Sequence, residues 1–204
     1  MLDLVLPREC GGCGAPGVSW CGSCAGDLAV RDDQPHVVIP RIDPGVPVFA
    51  LGRYAGPRRR AIVELKEHGR SDLAAVFAPA LRQALTHLAT WGIVDGAVAL
   101  VPAPTRFLAA RRRGGDPVTR IARATGRKVI PALRTRPFTR DSVGLSVTDR
   151  ERNIAGRIRL TAPPGRVVLL VDDVITTGAT AAESVRVLQT AGAEVPAVLT
   201  LAYA

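Results

Sequence analysis

The stretch Val168-Leu-Leu-Val-Asp-Asp-Val-Ile-Thr-Thr-Gly-Ala-Thr180 decides the reading of this chain. Four consecutive apolar residues, Val168 to Val171, suit a strand covered on both faces, as strands of a parallel sheet are. Asp172 and Asp173 fall where that strand ends, the edge at which open α/β sheets collect ligands. Thr176, Thr177, Gly178, Ala179 and Thr180 then open a helix whose alanine-rich body continues through Leu188. Backbone N–H groups at a helix start, three hydroxyls and a glycine that permits close approach make a seat for a phosphate. Beside it stand two acids able to hold a sugar diol, so the stretch describes a phosphorylated ribose. The competing reading is an ordinary strand–turn–helix unit with a threonine cap and solvated acids. Adjacent carboxylates with no cation or hydroxyls to satisfy them would repel each other, which weighs against it.

Working outward, 204 residues allow one substantial core and a small appendage. No segment reaches the roughly 20 apolar residues that cross a membrane. The opening Met1-Leu-Asp-Leu-Val-Leu-Pro7 lacks the basic n-region of a signal peptide, so a cytoplasmic location is expected. The formal charge of +9 is unevenly spread. Between Arg106 and Arg166 sixteen Arg or Lys face four acids, a field that attracts a pyrophosphate or a nucleic acid backbone. All but two of the 27 basic residues are Arg, the exceptions being Lys66 and Lys128, and this bias also fits the habit of a GC-rich genome.

Cys10, Cys13, Cys21 and Cys24 form the pattern Cys-x2-Cys-x7-Cys-x2-Cys, two knuckles that each offer two thiolates to one tetrahedral ion. Gly11, Gly12, Gly14 and Gly22 let the backbone fold tightly around a metal. Two disulfides are the alternative and require an oxidising compartment. A four-sulfur zinc site has no open position, so the ion is expected to be structural.

The expected organisation is a zinc-binding module over residues 1–30, a proline-bearing connector over 31–47 and an α/β domain over 48–204. Strands are expected at Val48–Tyr54, Ala97–Val101, Lys128–Leu133, Val168–Val171 and Val195–Tyr203. Helical segments are expected at Arg58–Glu67, at Asp72–Thr90 with a kink or fresh start at Pro79, around Phe107–Arg113, from Pro117, and around Thr148–Gly156. The alternation implies a mainly parallel sheet with helices on both faces.

The thirteen residues quoted first resemble the binding motif of type I phosphoribosyltransferases. Further features appear in order: the four-cysteine knuckles, Tyr54-Ala-Gly56, Lys66 to Gly69, Val101-Pro-Ala-Pro104, Arg113-Gly114 and Arg150-Glu-Arg-Asn153. Together these are similar to the ComF family, the competence-associated phosphoribosyltransferase-like proteins, over essentially the whole chain. The resemblance implies a type I phosphoribosyltransferase-like fold with an N-terminal zinc knuckle module. It implies that Asp172 and Asp173 engage the ribose hydroxyls of phosphoribosyl pyrophosphate and that Thr176–Thr180 hold its 5′-phosphate. Thr105 and Arg106 would meet the pyrophosphate, Mg²⁺ would accompany it, and Arg111, Arg112 and Arg113 would belong to a flexible loop closing over substrate. The chain departs from the family where Arg113-Gly-Gly-Asp-Pro117 replaces the usual Arg-Gly-Phe-Asn-Gln, and again at Thr139–Leu145. Transfer of the phosphoribosyl group to an unidentified acceptor is the first expectation. The alternative is a non-catalytic sensor or DNA-binding protein of DNA uptake. Single-stranded DNA, DNA-processing proteins and a homodimeric state stay open as partners.

Overall fold

The computed structural model describes residues 9–104, 116–136 and 156–204. Its longest strand is the one opened on above, β6 (Val168–Ile175), whose first four side chains are 0–1% exposed and therefore covered on both faces. The other strands are β1 (His36–Val37), β2 (Val48–Ala50), β3 (Ala99–Pro102), β4 (Leu133–Thr135), β5 (Ile158–Leu160) and β7 (Val198–Tyr203). The central sheet has the order β1-β2-β7-β6-β3; only the β1–β2 pairing is antiparallel. β4 and β5 form a separate antiparallel pair.

Helices cover both faces, as the alternating pattern predicts. On one face α2 (Gly56–Glu67), α3 (Ala74–Thr90) and α4 (Pro117–Ala124) bury Ile62, Phe77, Leu81 and Ile121 against Phe49, Leu169, Val171 and Leu199. On the other, α5 (Ala179–Thr190) buries Ala181, Val185 and Leu188 against Val168, Leu170 and Val198. The short α1 (Gly22–Leu28) follows the second cysteine knuckle, and Leu28 and Val30 join the first of these clusters. The N-terminal module thus shares the main core.

Three expectations are changed by the structure. The connector is not featureless: His36 and Val37 pair with Ala50 and Phe49, making β1 the sheet edge. Over Lys128–Leu133 only a brief parallel contact forms, Leu100 with Val129, before β4 turns to β5. Helix α3 runs through Pro79 unbroken, while the discontinuity falls earlier at a 3-10 turn, Ser71–Leu73. A proline inside a helix costs about 3 kcal/mol. Phe77, Leu81, Leu85 and Leu88, each 0–2% exposed, return about 1.5–3 kcal/mol apiece, so burial wins. Among the described residues no helix is long and apolar enough to cross a membrane. The expected helical segments at Phe107–Arg113 and Thr148–Gly156 fall wholly or almost wholly outside the described residues.

Candidate functional site

β6 lies between β3 and β7 and, contrary to the expectation that it stops at the acids, runs on through Asp172 and Asp173 to Ile175, because β7 continues to pair with it. Its Val171 lies opposite Pro102 in register and its Asp172 opposite Thr200, so the two acids stand where β3 has run out. The carbonyl of Val171 still receives the N–H of Ala103 at 2.8 Å, which brings the chain after β3 alongside the acids. Asp173 is buried, and its Oδ1 accepts both the Val174 N–H and Lys66 Nζ at 2.7 Å. Asp172 Oδ1 accepts the Asp173 N–H at 2.8 Å.

The surrounding protein strips water from Asp172 and holds its carboxyl well above the usual carboxylate range; the negative charge of Asp173 adds to this, and that of Asp116 adds less. The Asp173 N–H and the Lys66 charge act in the opposite direction. Asp116 caps α4, accepting the N–H groups of Val118 and Thr119 at 3.2 Å and the Thr119 hydroxyl at 2.5 Å. Pro117 fills the first turn of that helix, as expected.

Lys66 reaches the acids because of where α2 stops. Gly69 adopts φ +71°, and the Arg70 N–H returns to the Glu64 carbonyl at 3.2 Å, closing the helix one turn past the lysine. His68 bonds Glu64 at 3.2 Å on the surface and takes no part in the site.

After β6 the chain turns through Thr176 and Thr177 to Gly178, which precedes α5 at φ +88° without a side-chain cap. Ala179 N–H approaches Thr177 Oγ1 at 3.4 Å. Among the described residues no hydrogen bond takes the N–H of Thr177, Gly178 or Thr180, so these donors are without a partner at a helix start. The reason for the glycine differs from the one expected. A Cβ on Gly178 would come within 2.3 Å of the Ile42 carbonyl oxygen and 2.8 Å of Pro40 Cβ. The close approach is made by the connector, whose Ile42 N–H also bonds the Thr177 carbonyl at 2.8 Å.

The four cysteine sulfurs lie within 4.8 Å of one another, a group that can hold a metal ion such as zinc. Cys13 Sγ and Cys21 Sγ are 3.7 Å apart, close to the ~3.8 Å edge of a tetrahedron with ~2.3 Å metal–sulfur bonds. Burial opposes ionisation of Cys10, but N–H groups of Cys13, Cys21 and Gly12 outweigh it and bring its pKa down to about 6. Burial and the neighbouring sulfurs push the Cys24 thiol up. One thiolate is ready and another waits for a cation, which suits a metal-binding set. Gly12 and Gly14 are needed for tight packing: a Cβ on Gly12 would meet Cys24 Sγ at 2.6 Å, and one on Gly14 would meet Arg60 at 2.8 Å. Gly22 meets nothing within 4 Å, so its expected part in the fold around the metal is not seen.

The structure therefore brings Asp172, Asp173 and Thr176–Thr180 together on one strand–loop–helix unit, with the cysteines gathered separately. A cavity of about 470 Å³ lies between the knuckle and α2, lined by Gly12, Cys13, Pro57, Arg59, Arg60 and Val63, and none of the acid or loop residues lines it. Thr105, Arg106, Arg111, Arg112 and Arg113 lie outside the described residues, as do Thr139–Leu145 and Arg150–Asn153. Lys66 is marked in the sequence by the scarcity of lysine, which suggests a placed point charge, and by the Lys66–Gly69 feature, but it is not among the site residues expected from the sequence; the structure sets it against Asp173. Sequence reasoning missed the connector contact, for which residues 40–42 carry no motif. Compared with known proteins, the chain matches no family model and no curated protein.

Proposed function

We propose that this chain binds phosphoribosyl pyrophosphate on a type I phosphoribosyltransferase-like fold of the ComF kind and transfers its phosphoribosyl group to an acceptor. The observation that carries the reading is the continuity of one unit. Two carboxylates close to the end of a buried parallel strand are followed, within the same strand–loop–helix unit, by N–H donors without hydrogen-bond partners at a helix start. The first suits a vicinal diol and the second a phosphate, and their order along the chain matches the 2′,3′-hydroxyls and 5′-phosphate of one ribose.

In this reading Asp172 and Asp173 orient the ribose, and Thr176, Thr177, Gly178, Ala179 and Thr180 anchor the 5′-phosphate. Pyrophosphate leaves C1 with the bonding electron pair; an acceptor lone pair forms the new bond and sheds its proton. Mg²⁺ arriving with the substrate would supply positive charge to offset that of the pyrophosphate. The carboxylates also stabilise positive charge growing on the ribose. Thr105 and Arg106 are proposed to meet the pyrophosphate, with Arg111, Arg112 and Arg113 in the closing loop. The four thiolates are proposed to hold structural Zn²⁺.

Calorimetric titration of phosphoribosyl pyrophosphate with and without Mg²⁺ tests this. Mg²⁺-dependent binding by wild type and its loss in Asp172→Asn/Asp173→Asn are expected; absence of binding by folded, zinc-loaded wild type sinks the reading. The concentration of arginine over 106–166 favours a second reading, a DNA-binding protein. Single-stranded DNA affinity that falls steeply with salt supports that version, and its absence removes it.

A further inference from the structure

Resting on the phosphoribosyl reading, we propose that Lys66 is the positioning residue for the diol end of the site, fixing Asp173 so that the acid pair presents one set arrangement to a ribose. The hydrogen bonds are one-sided. Asp173 Oδ1 takes Lys66 Nζ and the Val174 N–H, and Asp172 Oδ1 takes the Asp173 N–H. No hydrogen bond among the described residues uses the Oδ2 atom of either acid, and neither atom is sealed from solvent. Each carboxylate is thus held through Oδ1 and keeps Oδ2 without a protein partner, an acceptor for a hydroxyl.

Charge gives the lysine its second task. The charges of Asp173 and, less, of Asp116 oppose ionisation of Asp172, and Lys66, paired with Asp173 at 2.7 Å, is the cation that counters them. A lysine supplies this as a compact point charge at the end of a stem, whereas the planar fork of arginine needs a wider seat. In a chain with 25 arginines, one of its two lysines occupies this position.

The stem starts from a held platform. Gly14 abuts the Arg60 guanidinium, Arg60 approaches Glu9 at 4.0 Å, and Arg70 Nη1 donates to the Glu9 carbonyl at 3.1 Å. Leu73 packs on Gly11. The amino-terminal module therefore contacts α2 at Arg60 and the turn that follows α2 at Arg70 and Leu73, and Arg60 and Lys66 are about 9 Å apart along the helix axis.

The test uses two ligands, ribose 5-phosphate and inorganic phosphate, titrated calorimetrically into the zinc-loaded full chain. Wild type is expected to prefer the ribose ester. Lys66→Met should weaken the ester roughly tenfold while leaving phosphate within about twofold, and Lys66→Arg should restore part of the loss. Equal weakening of both ligands assigns Lys66 to general support of the fold or to the phosphate, and overturns the inference. No weakening of the ester overturns it also. Wild type that binds neither ligand, or does not distinguish them, overturns the phosphoribosyl reading and the inference together. Thermal melts accompany each titration, and Lys66→Gln provides the same comparison if the methionine variant does not fold.

Discussion

Asp172 Oδ1 accepts the backbone N–H of Asp173 at 2.8 Å, so each acid of the pair helps to set the other while repelling it. Burial and that repulsion raise the Asp172 pKa in the folded chain. The folded form then keeps this proton at pH values where the unfolded chain has lost it. The stabilisation is fully present below the unfolded value of about 3.9 and is lost as pH rises through the raised folded value. Asp172→Asn, whose Oδ1 still accepts the Asp173 N–H, should flatten this part of the pH–stability profile. It should gain roughly 1 kcal/mol at pH values above the folded pKa. Thermal melts across a pH series read both effects; an unchanged slope contradicts them.

Gly178 is constrained twice, by φ +88° and by the Ile42 carbonyl oxygen 2.3 Å from any Cβ. Gly192 has φ +84° with nothing within 4 Å. Gly192→Ala should cost the conformational penalty alone, about 1–2 kcal/mol. Gly178→Ala should cost more, roughly 2–4 kcal/mol, because backbone must move. It should also weaken phosphate binding. Urea midpoints of the two variants make the comparison, and equal costs would show that the connector yields freely.

The cysteine cluster should release about one zinc per chain on denaturation, measurable with a colorimetric chelator. Cys24→Ser should lower thermal stability by at least ~3 kcal/mol if the four sulfurs hold an ion, because a buried member of the metal-binding set is lost. Trp20, which a Gly12 Cβ would meet at 3.0 Å, should shift its emission to the red, with Trp20→Phe as the control.

Glu183 on α5 bonds Arg186 through both carboxylate oxygens at 2.8 Å and takes the Gly156 N–H at 2.8 Å. The Arg186 contact lowers its pKa against the opposing effect of burial, and Gly156 adds to the lowering. A depressed carboxylate contributes stability above its unfolded value and loses it as pH falls through the folded one. Glu183→Ala should cost about 2 kcal/mol at neutral pH, with the deficit shrinking in acid. A deficit independent of pH would point to packing instead.

Local pattern accounts for what could be read beforehand. Val168–Thr180 declares its strand, turn and helix because each residue type there is demanded by its immediate neighbours, and the cysteine spacing carries its own geometry. Long-range facts left no such trace. Lys66 meets Asp173 across 107 positions of chain, and nothing near either residue announces the pairing. His36 and Val37 make too short a strand between Pro35 and Pro40 to show alternation. Pro79 looked like a break because propensity ignores the apolar face that holds α3 together. Gly178 was expected to permit close approach of a phosphate, and in the structure Pro40 and Ile42 stand against it.

The Ile42–Thr177 contact also bears on how this polypeptide can be cut and recombined. A fragment starting at Val48 would keep the motif strand and its helix yet lose the sheet edge, the stop against Gly178 and the partner of the Thr177 carbonyl. Swapping the amino-terminal quarter between relatives as a cassette would therefore alter the Thr176–Thr180 loop without touching any residue in it. Residues 36–42 and 177–178 have to be exchanged as a matched set.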